Sequence, residues 1–178
     1  GAVFHDLGNL NFTFISPKSI HNVQKQMRII QDAVAEFGIE TDLNGRNDLT
    51  VRVNGCKFSG NAFQISSSCA LHHGTILISV DTEKMRRYLT PSQKKLEAKG
   101  VSSVQSRVSN LNVFEPSINV DKMRQALIAA FENTYGTLDP EKPTLDSAKI
   151  EEYEKTLSSW EWCVGKTPEF NISLNNRF

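Results

Sequence analysis

The chain has 178 residues, 39% hydrophobic and 22% charged, enough apolar material for a single packed core of ordinary domain size. Twenty basic side chains balance twenty acidic ones, which argues against a general polyanion-binding surface though not against a local basic pocket. Three cysteines make a disulfide-stapled secreted domain a poor expectation, and no apolar run approaches the roughly 20 residues that span a bilayer.

The start, Gly1 to Asp6, carries no initiator Met and no basic-then-apolar leader, so Gly1 reads as a cut or processed end. Leu10, Phe12 and Phe14 alternate with Asn11 and Thr13, the period of a half-buried strand that Pro17 closes. Val23, Met27, Ile30, Val34 and Phe37 then fall on one face of a helix that Gly38 stops. Asn44-Gly45 marks a turn. Leu49, Val51 and Val53 alternate with polar residues as a second strand, and Asn54-Gly55 is a strong hairpin signal. The return strand carries Phe58, Phe63 and Ile65. Beyond the polar turn Ser66-Ser67-Ser68, a further strand runs through Ile76, Ile78 and Val80.

After Asp81 the pattern becomes helical: Thr82 to Tyr88, Pro91 to Ala98, a helix faced by Met123, Leu127, Ala130 and Phe131, and one faced by Ile150, Tyr153, Leu157 and Trp160. This order predicts an α+β fold, a mixed and largely antiparallel sheet with helices packed on it. Residues 136–144, with two prolines, are the most linker-like stretch but too short for a confident boundary, so the chain is expected to be one domain.

Several segments suit chemistry. Small residues at Gly1-Ala2-Val3 leave backbone N–H groups open to an anion, although a frayed terminus has the same composition. Gly45-Arg46-Asn47-Asp48 has the side chains of an ordinary turn. Lys57, followed by Ser59-Gly60, suits a cation reaching over a sheet to a phosphate or carboxylate, and equally a solvated strand lysine. His72 and His73 are adjacent on a strand and point to opposite faces, which argues against both serving one metal. Cys56 precedes Lys57, whose charge would favour a thiolate, but strand neighbours face apart and small buried cysteines are common. Trp160-Glu161-Trp162 reads as an extended segment whose two rings share a face, used for packing rather than ligand stacking.

In order along the chain, Gly1-Ala2-Val3-Phe4-His5-Asp6-x-Gly8-Asn9, Asn11-Phe12-Thr13-Phe14, Gly45-Arg46-Asn47-Asp48-Leu49, Lys57-x-Ser59-Gly60-Asn61-Ala62, His72-His73-Gly74-Thr75, Ser106-Arg107-Val108-x-Asn110-Leu111 and Trp160-Glu161-Trp162 resemble the motifs of the lipoate–protein ligase family. That family lies within the lipoyl/octanoyl transferases and biotinyl ligases. Each motif alone is weak; seven in one order are specific.

The resemblance implies a biotinyl/lipoyl ligase-like fold. It also implies ATP-dependent activation of lipoate to lipoyl-adenylate, followed by transfer to a specific carrier lysine. ATP with Mg2+ and lipoate would be bound. The partners would be lipoyl domains of 2-oxoacid dehydrogenase complexes and the glycine-cleavage carrier protein, with no nucleic acid and no membrane. The setting would be cytoplasmic, or mitochondrial in a eukaryote.

Carried over by motif, Gly1, Ala2, Val3 and Phe4 would lie against the nucleotide. Lys57 would be catalytic, touching the acyl carbonyl and the phosphate, and His73, Thr75 and Asp48 would line the adenylate pocket. No metal ligand is implied. The family's arginine–serine–glycine–glycine lead-in, its preceding strands and its small C-terminal domain are not in this sequence, so residues 1–178 are expected to be part of a larger catalytic domain. Two other functions stay open: an ATP-independent lipoyl or octanoyl transferase with a Cys nucleophile, and a non-catalytic module that binds lipoate or a carrier.

Overall fold

A computed structural model describes residues 4–45, 47–89, 108–138 and 144–167. The chain divides into two compact units, Gly1–Leu138 and Asp139–Phe178, with the division inside the linker-like stretch.

The first unit is built on five strands: β1 (Asn9–Pro17), β2 (Thr41–Asn44), β3 (Asp48–Val51), β4 (Lys57–Ile65) and β5 (Cys69–Leu77). Their order is β1-β5-β4-β3-β2, and every neighbouring pair is antiparallel. The single parallel pairing among the described residues is a bridge between Lys57 and Val108. The period-2 reading holds in β1, where Phe12, Phe14 and Ser16 are buried and Asn11, Thr13 and Ile15 are exposed.

Elsewhere the strands depart from the pattern. Thr41–Asn44 form a strand that is too short and too polar to show a period. Val53 lies in the β3–β4 turn and is 80% exposed, because the strand ends at Val51, whose carbonyl accepts from Gly55 N–H at 2.8 Å. His72-His73-Gly74-Thr75 sit in the middle of β5 rather than at its entry, and the strand ends before Ile78.

Helix α1 (Val23–Ala35) crosses from the β1 edge to the β2 edge. Asn22 caps it, its Oδ1 accepting from Lys25 N–H at 2.9 Å. Its buried face is wider than the predicted stripe, because Gln26, Ile29 and Ala33 are buried beside Met27, Ile30 and Val34. Helix α2 (Thr82–Tyr88) begins at the Asp81 cap. Helix α3 (Val120–Tyr135) buries Met123, Leu127 and Ala130 as expected. Together α1 and α3 cover one sheet face, meeting Phe12, Phe14, Leu49, Phe58 and Ile76 in one core. The helix expected over Pro91–Ala98 lies outside the described residues.

Asn119 caps α3 by accepting from Lys122 N–H at 2.9 Å. Asn119→Ala is expected to lower stability by about 1 kcal/mol, because it leaves that amide without its side-chain acceptor. A urea titration against the unsubstituted protein measures it.

In the second unit, α4 (Ser147–Ser158) starts at Asp146, whose Oδ1 accepts from Ala148 N–H at 3.0 Å. Ile150, Tyr153 and Leu157 lie on this helix and are all exposed. The tryptophan pair does not form an extended segment. Ser159 takes over as the anchor of a π-helical turn at Glu161–Gly165, its Oγ accepting from Trp162 N–H and its carbonyl from Cys163 N–H. On helical backbone, residues two apart leave by different faces, so the rings of Trp160 and Trp162 do not form one patch.

Candidate active site

One irregularity positions the central lysine. Leu49 pairs with Ser59 and Thr50 with Lys57, so β4 carries one extra residue, Phe58, against β3. Strict alternation would send Lys57 to the side of Ser59, which is buried. The bulge instead lets Phe58 fill the core at 0% exposure and turns Lys57 to the face away from α1 and α3.

On that face a cross-strand row forms. Asn11 on β1 pairs with Thr75 on β5, Thr75 with Gly60 on β4, and Gly60 with Asp48 on β3. Lys57 lies across this row. Its Nζ stands 2.8 Å from Asp48 Oδ1, and a methyl group added at Gly60 would come within 3.1 Å of the same nitrogen. A side chain at Gly60 would therefore occupy the lysine's resting place. The next row along the same face holds Thr13, His73 and Ala62, all exposed. The backbone of Lys57 is held on its far side as well: its carbonyl accepts from Ser109 N–H at 3.0 Å. The Asn110 side chain then grips Val80, accepting from its N–H and donating to its carbonyl.

The segment before β1 lies at the Leu77 end of the sheet. Asp6 accepts from Gly8 N–H at 2.9 Å and from Asp81 N–H at 2.8 Å, tying the segment to the start of α2. Phe4 stacks on Tyr88 with ring centres 6.1 Å apart. Asn9 Nδ2 donates to His5 Nδ1 and to Asn11 Oδ1, which leads a polar chain from His5 to the row containing Thr75.

Behind the row, on the core side, His72 is fully buried among Phe12, Phe14 and Phe63. Burial, with smaller contributions from His21 and His73, pushes its pKa down to about 4. It is neutral in the native protein. An unfolded chain would take up a proton near pH 6.5 that the folded chain refuses until about 4. The native state is therefore expected to lose stability as pH falls from 6.5 to about 4, and to lose no more from this group below that. Melting temperatures of wild type and His72→Phe across this window measure it; the wild type should show the steeper fall.

The sequence model of the family described as lipoyl protein ligase A/B catalytic domain matches residues 1–132. The chain belongs to this family. Lipoate-protein ligase A of Bdellovibrio bacteriovorus is 45% identical over 98% of the chain, and that of Psychrobacter cryohalolentis 41% identical over all of it. The chain spans about half the length of these curated relatives, 54% and 55%. Among solved structures, the Plasmodium falciparum LipL1 in complex with lipoate superposes with a TM-score of 0.73 at 33% identity, covering the whole chain and 52% of that one. A bipartite lipoate protein ligase from Thermoplasma acidophilum, described with its E2 lipoyl domain, also gives 0.73, at 26% identity over 97% of the chain and 70% of its own. The α+β lipoate-ligase fold is thus that expected from the motifs.

Within this lipoyl protein ligase domain, the fold brings Lys57, Asp48 and Thr75 together around Gly60, with His73 one row away. Phe4 stands with Tyr88, while Gly1, Ala2 and Val3 lie outside the described residues. The sequence reading did not single out Asn11, although its partner Thr75 was named; the cross-strand register is the missing signal. Cys69 lies at the far end of β5, opposite Pro17, with its Sγ 3.3 Å from Ser66 Oγ. An apolar groove of about 420 Å³ runs along β1 and α3, lined by Phe14, Ile15, Ile128 and Phe131. Strand β5 alone lies between β1 and β4, the strand of Lys57.

Proposed function

We propose that the protein to which this chain belongs activates lipoate with ATP and passes the lipoyl group to a lysine of a lipoyl carrier domain. The observation that carries this reading is Lys57: one ammonium, set by a bulge and held by Asp48, on the sheet face of a lipoyl protein ligase domain. The lipoate bound to one structural relative, and the E2 lipoyl domain described with the other, support the choice of substrate and carrier.

In the first step the lipoate carboxylate attacks the α-phosphorus of ATP. The bond to the bridging oxygen breaks, pyrophosphate leaves, and lipoyl-adenylate remains. Negative charge builds on the phosphoryl oxygens, and a fixed ammonium at Lys57 offsets it. Asp48 keeps that ammonium in place before the nucleotide arrives. Mg2+ would enter on the nucleotide's phosphates and neutralise part of their charge, with Asp48 the acidic group standing beside Lys57.

In the second step the carrier lysine's amine attacks the activated carbonyl, the carbonyl–oxygen bond to AMP breaks, and the amine loses a proton. The nucleophile comes from the carrier, so no cysteine of this chain is needed. Lys57 contacts the acyl carbonyl as well as the phosphate. Thr75 and His73 line the adenylate pocket, with Gly1, Ala2, Val3 and Phe4 against the nucleotide.

Lipoate-dependent exchange of pyrophosphate into ATP by the intact protein tests this. Exchange should survive Cys56→Ala, Cys69→Ala and Cys163→Ala. Activity that requires an acyl-carrier thioester and ignores ATP would instead establish a cysteine-dependent transferase.

A further inference from the structure

The motif residues that face away from Lys57 form a second arrangement. Asn61 is buried on the core side of β4, one residue past Gly60. Its side-chain Nδ2 donates to Asn47 O at 3.0 Å and to Ser59 Oγ at 3.2 Å. Its backbone N–H donates to the same Asn47 carbonyl at 3.0 Å. A carbonyl only accepts, so the amide orientation is settled: Nδ2 points at Asn47 and Oδ1 points back. Oδ1 stands 2.9 Å from His72 Nε2. That nitrogen must carry the proton, which makes His72 the Nε2–H tautomer and a donor. Its neutrality well below pH 7 keeps the donor in one form over the working range.

Gly74 makes room for this amide. It pairs with Asn61 across β4 and β5, and a Cβ there would come within 2.5 Å of Asn61 Oδ1 and 2.7 Å of Phe12 Cζ. His72, Gly74 and Asn61 therefore act together on the core side, while His73, Thr75 and Gly60 face the other way. Asn47 directly precedes Asp48, whose carboxylate holds Lys57 Nζ at 2.8 Å.

We propose that Asn61, held from behind by His72, is a positioning residue that fixes the Asn47–Asp48 end of the β2–β3 turn and thereby sets the place of Lys57 Nζ for lipoate activation. The consequence for activity rests on the function proposed above; the anchoring of the turn does not. Without the side-chain bond, the Asn47 carbonyl keeps only the bond from Asn61 backbone N–H, the turn loosens, Asp48 shifts with it, and the ammonium loses its fixed address. Errors of about 1 Å in a catalytic group cost on the order of 100-fold in rate.

The test uses Asn61→Asp in the intact protein. This variant is isosteric and keeps an acceptor for His72, but sets a carboxylate oxygen against the Asn47 carbonyl. Three measurements are made: amide hydrogen exchange at Asn47 and Asp48, lipoate-dependent ATP–pyrophosphate exchange, and a double-mutant cycle with Asp48→Asn. Faster amide exchange at Asn47 and Asp48, with the amides of α1 unchanged, is expected. Turnover should fall by about tenfold to 100-fold with KM for lipoate little changed. In the Asp48→Asn background the same substitution should cost less than about threefold, because the two act through one element.

Unchanged amide exchange at Asn47 and Asp48 would overturn the proposal whatever the kinetics. Equal losses in both backgrounds would also overturn it, by showing that Asn61 acts independently of Asp48. Should Asn61→Asp fail to fold, Ser59→Ala, which removes a side-chain partner of the Asn61 amide but leaves its bond to Asn47, should give the same pattern more weakly; no change at Asn47 and Asp48 overturns the proposal there too. If the turn loosens but Lys57→Ala retains full activity, the anchoring stands and the proposed role of Lys57 in the reaction fails.

Discussion

Lys57→Ala should lower lipoate-dependent ATP–pyrophosphate exchange by about two to three orders of magnitude, the usual cost of removing one fixed group that stabilises developing charge. The fold should survive, because the Lys57 side chain is 30% exposed and its ion pair with Asp48 is at the surface. Surface ion pairs contribute little to stability, about 0–1 kcal/mol. Melting temperature and circular dichroism should therefore match the unsubstituted protein while exchange nearly vanishes. Lys57→Arg separates charge from geometry. Its planar, branched head spreads the charge over a fork and cannot set one nitrogen where the ammonium stands, so most of the loss should remain although the charge is kept. Full exchange in Lys57→Ala, measured with lipoate and ATP saturating, would remove the lysine from the reaction.

Phe58→Ala should have the largest effect on stability, about 3–5 kcal/mol, as for other fully buried aromatic side chains cut to alanine. Phe58 is 0% exposed and belongs to the core that joins the sheet to α1 and α3. It is also the extra residue of the β4 bulge, so its burial holds Lys57 on the opposite face. A urea titration at neutral pH measures the loss. Activity per folded molecule should fall as well, since the vacated core space lets the bulge relax and carries Lys57 with it. A loss below about 1 kcal/mol would mean that the side chain is not packed as described.

These two residues show what could be read from the chain and what could not. The period-2 run of β1, the 3.6-period faces of α1 and α3, and the Asn54-Gly55 hairpin follow from local chemistry, and all are present. They are legible because each is set by neighbours within a turn or a strand pair. Strand β2 was not legible: Thr41–Asn44 is held by pairing with β3, and four mostly polar residues carry no period of their own. The Trp160–Trp162 segment departs from its expected extension for a related reason: Ser159, itself extended, ends α4, and its oxygens then accept from Trp162 and Cys163 N–H to start a new helical turn.

The candidate site divides the same way. Motif order alone named Lys57, Asp48, His73 and Thr75. Their assembly around Gly60 depends on strand register and on one extra residue in β4. By simple alternation Lys57 belongs with Ser59, in the core, where an unpaired ammonium would be costly to bury. The bulge reverses that parity.

A neutral 178-residue chain, with its apolar periods and ordered motifs, is sufficient to specify family, fold class and the residue types available for chemistry. Those properties reside in composition and short-range spacing. Which side of the sheet each motif residue faces is a different matter. It follows from the pairing of Leu49 with Ser59 and Thr50 with Lys57, and of Asn61 with Gly74, contacts between residues distant in the chain. A period of two makes facing sensitive to a single inserted residue, and only the packed sheet, with Phe58 in its core, fixes where that residue goes.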